Sequence, residues 1–398
     1  MPRCLWSGRI QKTAAQKFKI YTIQQSPNIA ILAPYNVYPP RTGGKKFIAS
    51  FYEYLAKIYP VSFISVPENE IPDALSNSYY GVLGTSKLRY GNPLLFFKLR
   101  KIIRQNKITD LIIVHPYYGW LAWLLKKSTG VKLYLLSHNI ESVRFKSMGK
   151  WWWRMLWFYE KNTHKIIDHN FFVTQEDLDF AVNNYRLDIA KCDVITYGID
   201  WEESPSRQEK EDAALLIRQQ YNFKEEEKIL LFNGTLDYKP NIEALDYILK
   251  EINPLLLKNK HYQYKIIICG KGLPAAYNEL KDYSNLNIIF AGFVDDINLF
   301  FKGSDVFLNP VITGGGIKTK LVEALGNNLT SISCKSGAYG VPAEIAGSKL
   351  TVVDDFNWVS FANAVFNADV QATIPGSFFN HFYWANIAAK AGRIISVN

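Results

Sequence analysis

Cysteine is scarce in this 398-residue chain: there are four, Cys4, Cys192, Cys269 and Cys334, far apart and without a CxxC pair. That scarcity excludes a disulfide framework and a zinc knuckle, and it fits a reducing cytoplasm. Long apolar runs are missing too. The longest, Leu111 to Leu125, is broken by His115, Pro116 and Gly119 and falls short of the roughly 20 residues that cross a bilayer. A soluble protein is therefore expected, in the cytoplasm or peripheral at the inner face of its membrane. Acid is lacking where base is plentiful: residues 1–160 hold 23 Lys and Arg against 7 Asp and Glu, whereas residues 161–398 hold 23 against 29. The first half should seek something anionic, and the second need not. Residues 1–27 carry five basic and no acidic groups but no secretory-type apolar core, so they read as a basic extension.

What is present is a globular composition, 48% hydrophobic and 15% aromatic, long enough for two cored units. From Asn28 short apolar runs alternate with longer amphipathic stretches, the pattern of an α/β protein with parallel sheets. Six buried strands are expected in the first series: Ile29–Ala33, Val61–Val66, Leu111–Val114, Lys132–Leu136, Phe171–Val173 and Val194–Tyr197. Six more follow: Ile229–Phe232, Tyr264–Cys269, Ile288–Phe290, Val306–Leu308, Thr330–Ser333 and Leu350–Val353. Two series mean two doubly wound domains, 28–205 and 206–375. The charged stretch Trp201 to Lys228 is expected to stay out of the core and mark their boundary. A last amphipathic segment, 376–398, follows Pro375 and either caps the second domain or crosses back to the first.

Ligands of such sheets bind at the carboxyl ends of strands, where helix N-termini present N–H groups to anions. The densest candidate is Asn309 to Leu325. Gly314, Gly315, Gly316 and Ile317 offer a backbone that a ligand can approach, Lys318 and Lys320 add charge, and Glu323 suits the vicinal hydroxyls of a ribose. Thr42-Gly43-Gly44-Lys45-Lys46 opens another helix after the first strand. His138 ends a strand at the same edge and is a candidate to donate to a leaving group. His115 also follows a strand, but the Pro116 beside it favours a loop role, and no histidine shows metal spacing.

Asp305 to Leu325 resembles the donor-binding segment of family-4 (group 1) glycosyltransferases, in a Gly-Gly-Gly variant of the motif. The likeness continues, in order, through Asn233 to Asn241, Cys269-Gly270-Lys271-Gly272 and Gly292 to Asp296. It implies the GT-B architecture: two Rossmann-like domains facing across a cleft, the second binding a nucleotide sugar and the first an acceptor. By that resemblance Glu323 holds the ribose, Lys239 meets the phosphates, Val294 lies near the base and Gly234 belongs to the first glycine loop. Gly43 and Gly44 close over the phosphates and sugar, and His138 lies near both. In many members a second glutamate stands eight positions before the ribose glutamate. Here that position is Gly315, so backbone amides of Gly314 to Ile317 would meet the sugar instead.

The resemblance implies a retaining sugar transfer to a hydroxyl acceptor, a glycan or lipid-linked glycan of polysaccharide biosynthesis. The alternative is a nucleotide-sugar-binding protein without transferase activity. No Asp-x-Asp site stands at a fitting strand end, so neither metal nor cofactor is expected. Nucleic-acid binding lacks any recognisable motif. The stretch Arg144 to Lys161, RFKSMGKWWWRMLWFYEK, mixes aromatic and basic residues as a peripheral membrane contact would. Three adjacent tryptophans cannot share one helical face, however, so packing or acceptor-groove lining competes with membrane contact.

Overall fold

A computed structural model describes residues 26–397. Most of the basic extension, with Cys4, lies outside the described residues. The first sheet contains β1 (Ile29–Leu32), β2 (Val61–Ser65), β3 (Tyr79–Gly81), β4 (Asp110–Val114), β5 (Lys132–Ser137), β6 (His169–Phe172) and β7 (Cys192–Val194), in the order 3-2-1-4-5-6-7. The second contains β8 (Lys228–Asn233), β9 (Tyr264–Cys269), β10 (Ile288–Gly292), β11 (Val306–Asn309), β12 (Thr330–Cys334) and β13 (Leu350–Val353), in the order 10-9-8-11-12-13. Both sheets are parallel throughout. Parallel strands are covered by helices on both faces, which is why IAIL, the LIIV of DLIIV and the centre of KILLFN are continuous apolar runs, buried on both sides. Strand order reverses between β1 and β4 and again between β8 and β11, opening a crevice at the carboxyl ends of each sheet.

The stretch 201–228 departs from expectation. Ser206 and Glu209 form a capping box that starts a helix, Arg207–Tyr221. Ala213 and Ile217, four residues apart, turn inward and are buried beside the helix Ile297–Gly303. A Cβ on Gly303 would come within 2.7 Å of the Ala213 backbone, so the glycine lets the helices meet. Most of the charged residues occupy the outer face, while Lys210 reaches inward to the Asn327 and Asn328 carbonyls and Arg218 to the Glu227 carbonyl.

The chain end joins the domains. The helix Gly376–Phe382 buries Phe378, Phe379 and Phe382, and Ile199 then exchanges backbone bonds with Phe382 and Trp384. The final helix, Trp384–Val397, lies against the first domain's helix Gly43–Ala56. There Lys390 donates to the Val194 carbonyl, and Gly392 sits so close to Tyr59 that a Cβ would be 2.3 Å from its ring. One apolar cluster consequently runs from Ile29 through Trp384 to Phe307.

Candidate functional site

Two helices from opposite domains end nose to nose. The helix Gly43–Ala56 follows β1 and the helix Thr319–Gly326 follows β11; neither has a side-chain cap on its first turn. A Cβ on Gly43 would lie 3.0 Å from Thr319, so the two N-termini are in contact. A third uncapped helix, Lys239–Tyr247, begins beside them: a Cβ on Gly314 would be 3.1 Å from Pro240. The first two starts direct unpaired N–H groups and a partial positive charge at the same place; the third adds chiefly its dipole, because Pro240 has no N–H and the N–H groups of Asn241 and Ile242 donate to the Tyr238 carbonyl. The nearby helix Glu141–Ser147 is different, because the Glu160 carboxylate already accepts from the N–H groups of Glu141 and Ser142 at 2.8 and 2.9 Å.

His138 sits at the junction. Its Nδ1 faces Gly44, at 4.0 Å from where a Cβ would stand, and its Nε2 is buried with no hydrogen-bond partner among the described residues. Its ring packs edge-on to Phe47 at 4.5 Å and beside His115 at 4.7 Å. Burial and the neighbouring His115 hold its pKa well below the ordinary histidine value, so at neutral pH it is an uncharged imidazole. Asn139 faces the glycine loop across the cleft: a Cβ on Gly315 or Gly316 would stand 3.4 or 2.3 Å from its Oδ1.

Behind His138 lies a network that the sequence reading left out. His115, with a left-handed φ of +63°, bonds Tyr35 through Nε2 at 2.9 Å and approaches Glu141 through Nδ1 at 3.3 Å. Fully buried Glu141 also accepts from Tyr117 at 2.6 Å and from both Nε and Nη2 of Arg144 at 3.1 and 2.6 Å. Burial opposes ionisation of Glu141, but His115 and Arg144 prevail and hold its pKa far below the usual carboxylate range. Three-residue spacing from His138 to Glu141 to Arg144 was the available signal; His115 is joined to it only in space.

Glu323 reaches across the domain boundary. Its Oε1 accepts from Lys46 at 3.0 Å and Tyr197 at 2.7 Å, and the carboxylate lines an interdomain cavity of about 320 Å³ with Asp200, Asn298 and Trp384. Lys318 donates to the Gly316 carbonyl, closing its own loop. Lys320 donates to the Asn233 carbonyl and Asn241 Oδ1, each at 3.0 Å, and so ties the Gly234 loop to this helix. Desolvation pulls the Lys318 pKa down to about 8; desolvation and then Lys318 pull Lys320 to about 7. Lys239 is not gathered in: its side chain is 81% exposed and pairs with Glu243. Val294 is half-buried against the larger core, beside exposed Phe293. A second interdomain contact joins Tyr339 to Asp177 at 3.0 Å and the Gly340 N–H to Glu176 at 3.1 Å.

Two parallel Rossmann-like domains with their strand ends facing across such a cleft are the GT-B architecture. Residues 42–203 match the family model described as Glycosyltransferase Family 4 and residues 227–368 the one described as Glycosyl transferases group 1, about three quarters of the chain between them. The chain belongs to the GT-B glycosyltransferases and acts on nucleotide-sugar donors. It is 25% identical over 367 residues to a Klebsiella pneumoniae chain described as "Uncharacterized 44.6 kDa protein in cps region", covering 83% of this chain and 88% of that one. Its fold is similar to that of a glycosyltransferase from Rickettsia africae ESF-5, with a TM-score of 0.69, 16% identity and coverage of 92% and 97%. It is also similar to Anabaena Alr3699/HepE, solved in complex with UDP, with a TM-score of 0.70, 14% identity and coverage of 93% and 100%.

Proposed function

We propose that the protein is a retaining glycosyltransferase that moves a sugar from a nucleoside-diphosphate donor to a hydroxyl of a glycan or lipid-linked glycan in polysaccharide assembly. The observation that carries this reading is the meeting of uncapped helix N-termini from both domains beside the partnerless Nε2 of His138. A diphosphate at that junction would receive N–H groups and two helix dipoles, with the Lys318 ammonium close by. As the bond from the sugar's anomeric carbon to the phosphate lengthens, negative charge builds on the leaving oxygen, where the dipoles stabilise it. The acceptor oxygen then bonds that carbon from the face the diphosphate leaves, and its proton passes to the departing phosphate. Neutral His138 would donate a hydrogen bond to a sugar hydroxyl or phosphate oxygen. Glu323 would exchange Lys46 and Tyr197 for ribose hydroxyls. Lys239 enters only if its exposed side chain swings inward.

This arrangement supports chemistry without a divalent metal, because helix ends and lysine supply the positive charge. Asp177-Leu178-Asp179 lies on a helix, with Asp177 accepting from Tyr339 and from no other side chain among the described residues. Peripheral attachment at the inner face of the cytoplasmic membrane belongs to the same proposal. Among the described residues no helix is long and apolar enough to cross a bilayer. The test is a thermal-shift screen of common nucleotide sugars, uridine donors first, followed by transfer assays in excess chelator. A donor present at about a hundred times its Kd should stabilise the fold by about 2.7 kcal/mol. No shift with any donor, or activity lost on chelation, would overturn the donor reading or the metal-free mechanism respectively.

A further inference from the structure

The hinge between the domains carries a cavity of its own. It has a volume of about 430 Å³ and lies between the segment 194–196, where the chain leaves β7, and the last two helices, Gly376–Phe382 and Trp384–Val397. That is within the roughly 300–1,000 Å³ of small-molecule sites. It shares no lining residue with the cavity beside Glu323. Asn386, Lys390 and Arg393 stand on one face of the final helix, four and then three residues apart, and Asn380 and His381 meet them from the helix before. The helix Gly376–Phe382 packs on Thr319–Gly326 and Ala343–Ala346 of the second domain, whereas the final helix packs on the first. The walls are therefore tied to both domains.

Basic and amide groups line it, with no acid and no Phe, Tyr or Trp ring among the described residues. Lys390 is held in place, donating to the Val194 carbonyl at 2.9 Å and pairing at 3.4 Å with Asp193, a carboxylate that also meets His169 at 3.0 Å. Arg393, on the next turn, has no hydrogen bond or ion pair among the described residues, and neither do the side chains of Asn380 and His381. Burial, and then Lys390, lower the His381 pKa, so at neutral pH its imidazole is uncharged and can both donate and accept. Thr196 also lines the cavity; it is 4% exposed, and its hydroxyl has no partner among the described residues. The Arg393 guanidinium with Lys390 beside it suits a carboxylate or a phosphate. Amides, imidazole and hydroxyl suit a run of sugar hydroxyls, and Ile195 and Ile387 offer apolar surface to the C–H groups of the ring. A nucleobase would find no ring to stack on.

We propose that this cavity is an effector site for an acidic sugar, a monosaccharide carrying a phosphate or a carboxylate, and that the bound sugar braces the hinge. The site stands whether or not the transferase reading does. The probes are glucose 6-phosphate and glucuronate, titrated calorimetrically into the full chain, with glucose and inorganic phosphate as partial ligands. Binding of either acidic sugar supports the site, and which one binds tells whether phosphate or carboxylate is read; binding of neither overturns it. Arg393→Gln removes the guanidinium at an exposed position, and Asn386→Trp fills the cavity from another. Each should weaken the acidic sugar by at least about tenfold. Equal affinity in wild type and both variants would put the sugar elsewhere and overturn the site, and so would glucose or inorganic phosphate binding as tightly as the acidic sugar. In hydrogen exchange the bound sugar should slow the amides of Ile199 and Trp384, whose bonds to the Phe382 and Ile199 carbonyls tie the hinge to the last helices. Arg393→Gln at the same sugar concentration should lose that protection. Unchanged exchange at both amides in the sugar-bound wild type would overturn the bracing.

Discussion

At the scale of single residues, backbone conformation at Gly316 and ring chemistry at His138 make separable demands. Gly316 has φ +68°, and any Cβ would run into Asn139 from the opposite domain. Gly149 has nearly the same φ, +70°, with nothing within 4 Å. Gly149→Ala should therefore cost only the left-handed strain of about 1–2 kcal/mol, read by denaturant unfolding. Gly316→Ala should in addition hold the domains apart and abolish most transfer. Equal activity in the two variants would refute the close approach. His138→Ala should lower kcat by roughly 10²-fold or more with donor affinity changed only a few-fold, because the imidazole supports the reaction more than it holds the nucleotide. Glu323→Ala should do the opposite, weakening nucleotide binding in calorimetry with the fold intact. The glycines and His138 were legible as part of the cleft because residue type and strand-end position together mark them, and Glu323 because an acid inside the helix after the glycine loop matches the family motif. His115 was not, since its left-handed φ and its contact with Glu141 arise from tertiary packing. Lys239 shows the converse: a basic residue in a matching motif whose side chain points to solvent.

At the scale of elements, strands buried on both faces announced themselves: eleven of the thirteen were placed by their apolar runs, and a twelfth run, Val194–Tyr197, meets β7 (Cys192–Val194) only at Val194. The exception, β3, is an edge strand of three residues, Tyr79-Tyr80-Gly81, half-buried or exposed and flanked by short turns of helix. It pairs only with β2 and has no periodicity long enough to read. The helix Arg207–Tyr221 was hidden by its charge, because two inward residues suffice to seat it. The segment Gly314–Gly326 supplies a pH prediction. Lys318 and Lys320 have folded pKa values near 8 and 7 against 10.5 when unfolded. The unfolded chain therefore binds more protons across this interval, and stability should rise with pH from about 7 toward 10.5 and fall as pH drops back through 8 and 7. A bound diphosphate favours the charged amines, so it should flatten that rise and draw protons from solution on binding near pH 8. Calorimetry in buffers of different ionisation enthalpy would detect the uptake, and zero uptake would place the phosphates away from both lysines.

At the scale of the whole molecule, the cleft is braced from a distance by the end of the chain. Trp384 is 1% exposed and belongs to the helix that returns to the first domain. It packs so closely on Gly198, in the segment between the sheets, that a Cβ there would be 2.6 Å from its ring. It also meets Phe47 at 5.3 Å and Tyr197 at 5.7 Å. Phe47 in turn supports the His138 ring, and Tyr197 donates to Glu323. One indole thus stands behind a residue from each side of the site, at the place where both domains and the final helix meet. Trp384→Ala should cost about 3–5 kcal/mol of stability, and its effect should not stop at stability. With Phe47 and Tyr197 left free to move, donor affinity and kcat should both fall even at temperatures where the variant is fully folded. Trp384→Phe, which keeps an aromatic ring in the same layer, should recover most of both. A variant that loses stability while its folded fraction turns over at the wild-type rate would show that the final helix holds the domains together without shaping the cleft.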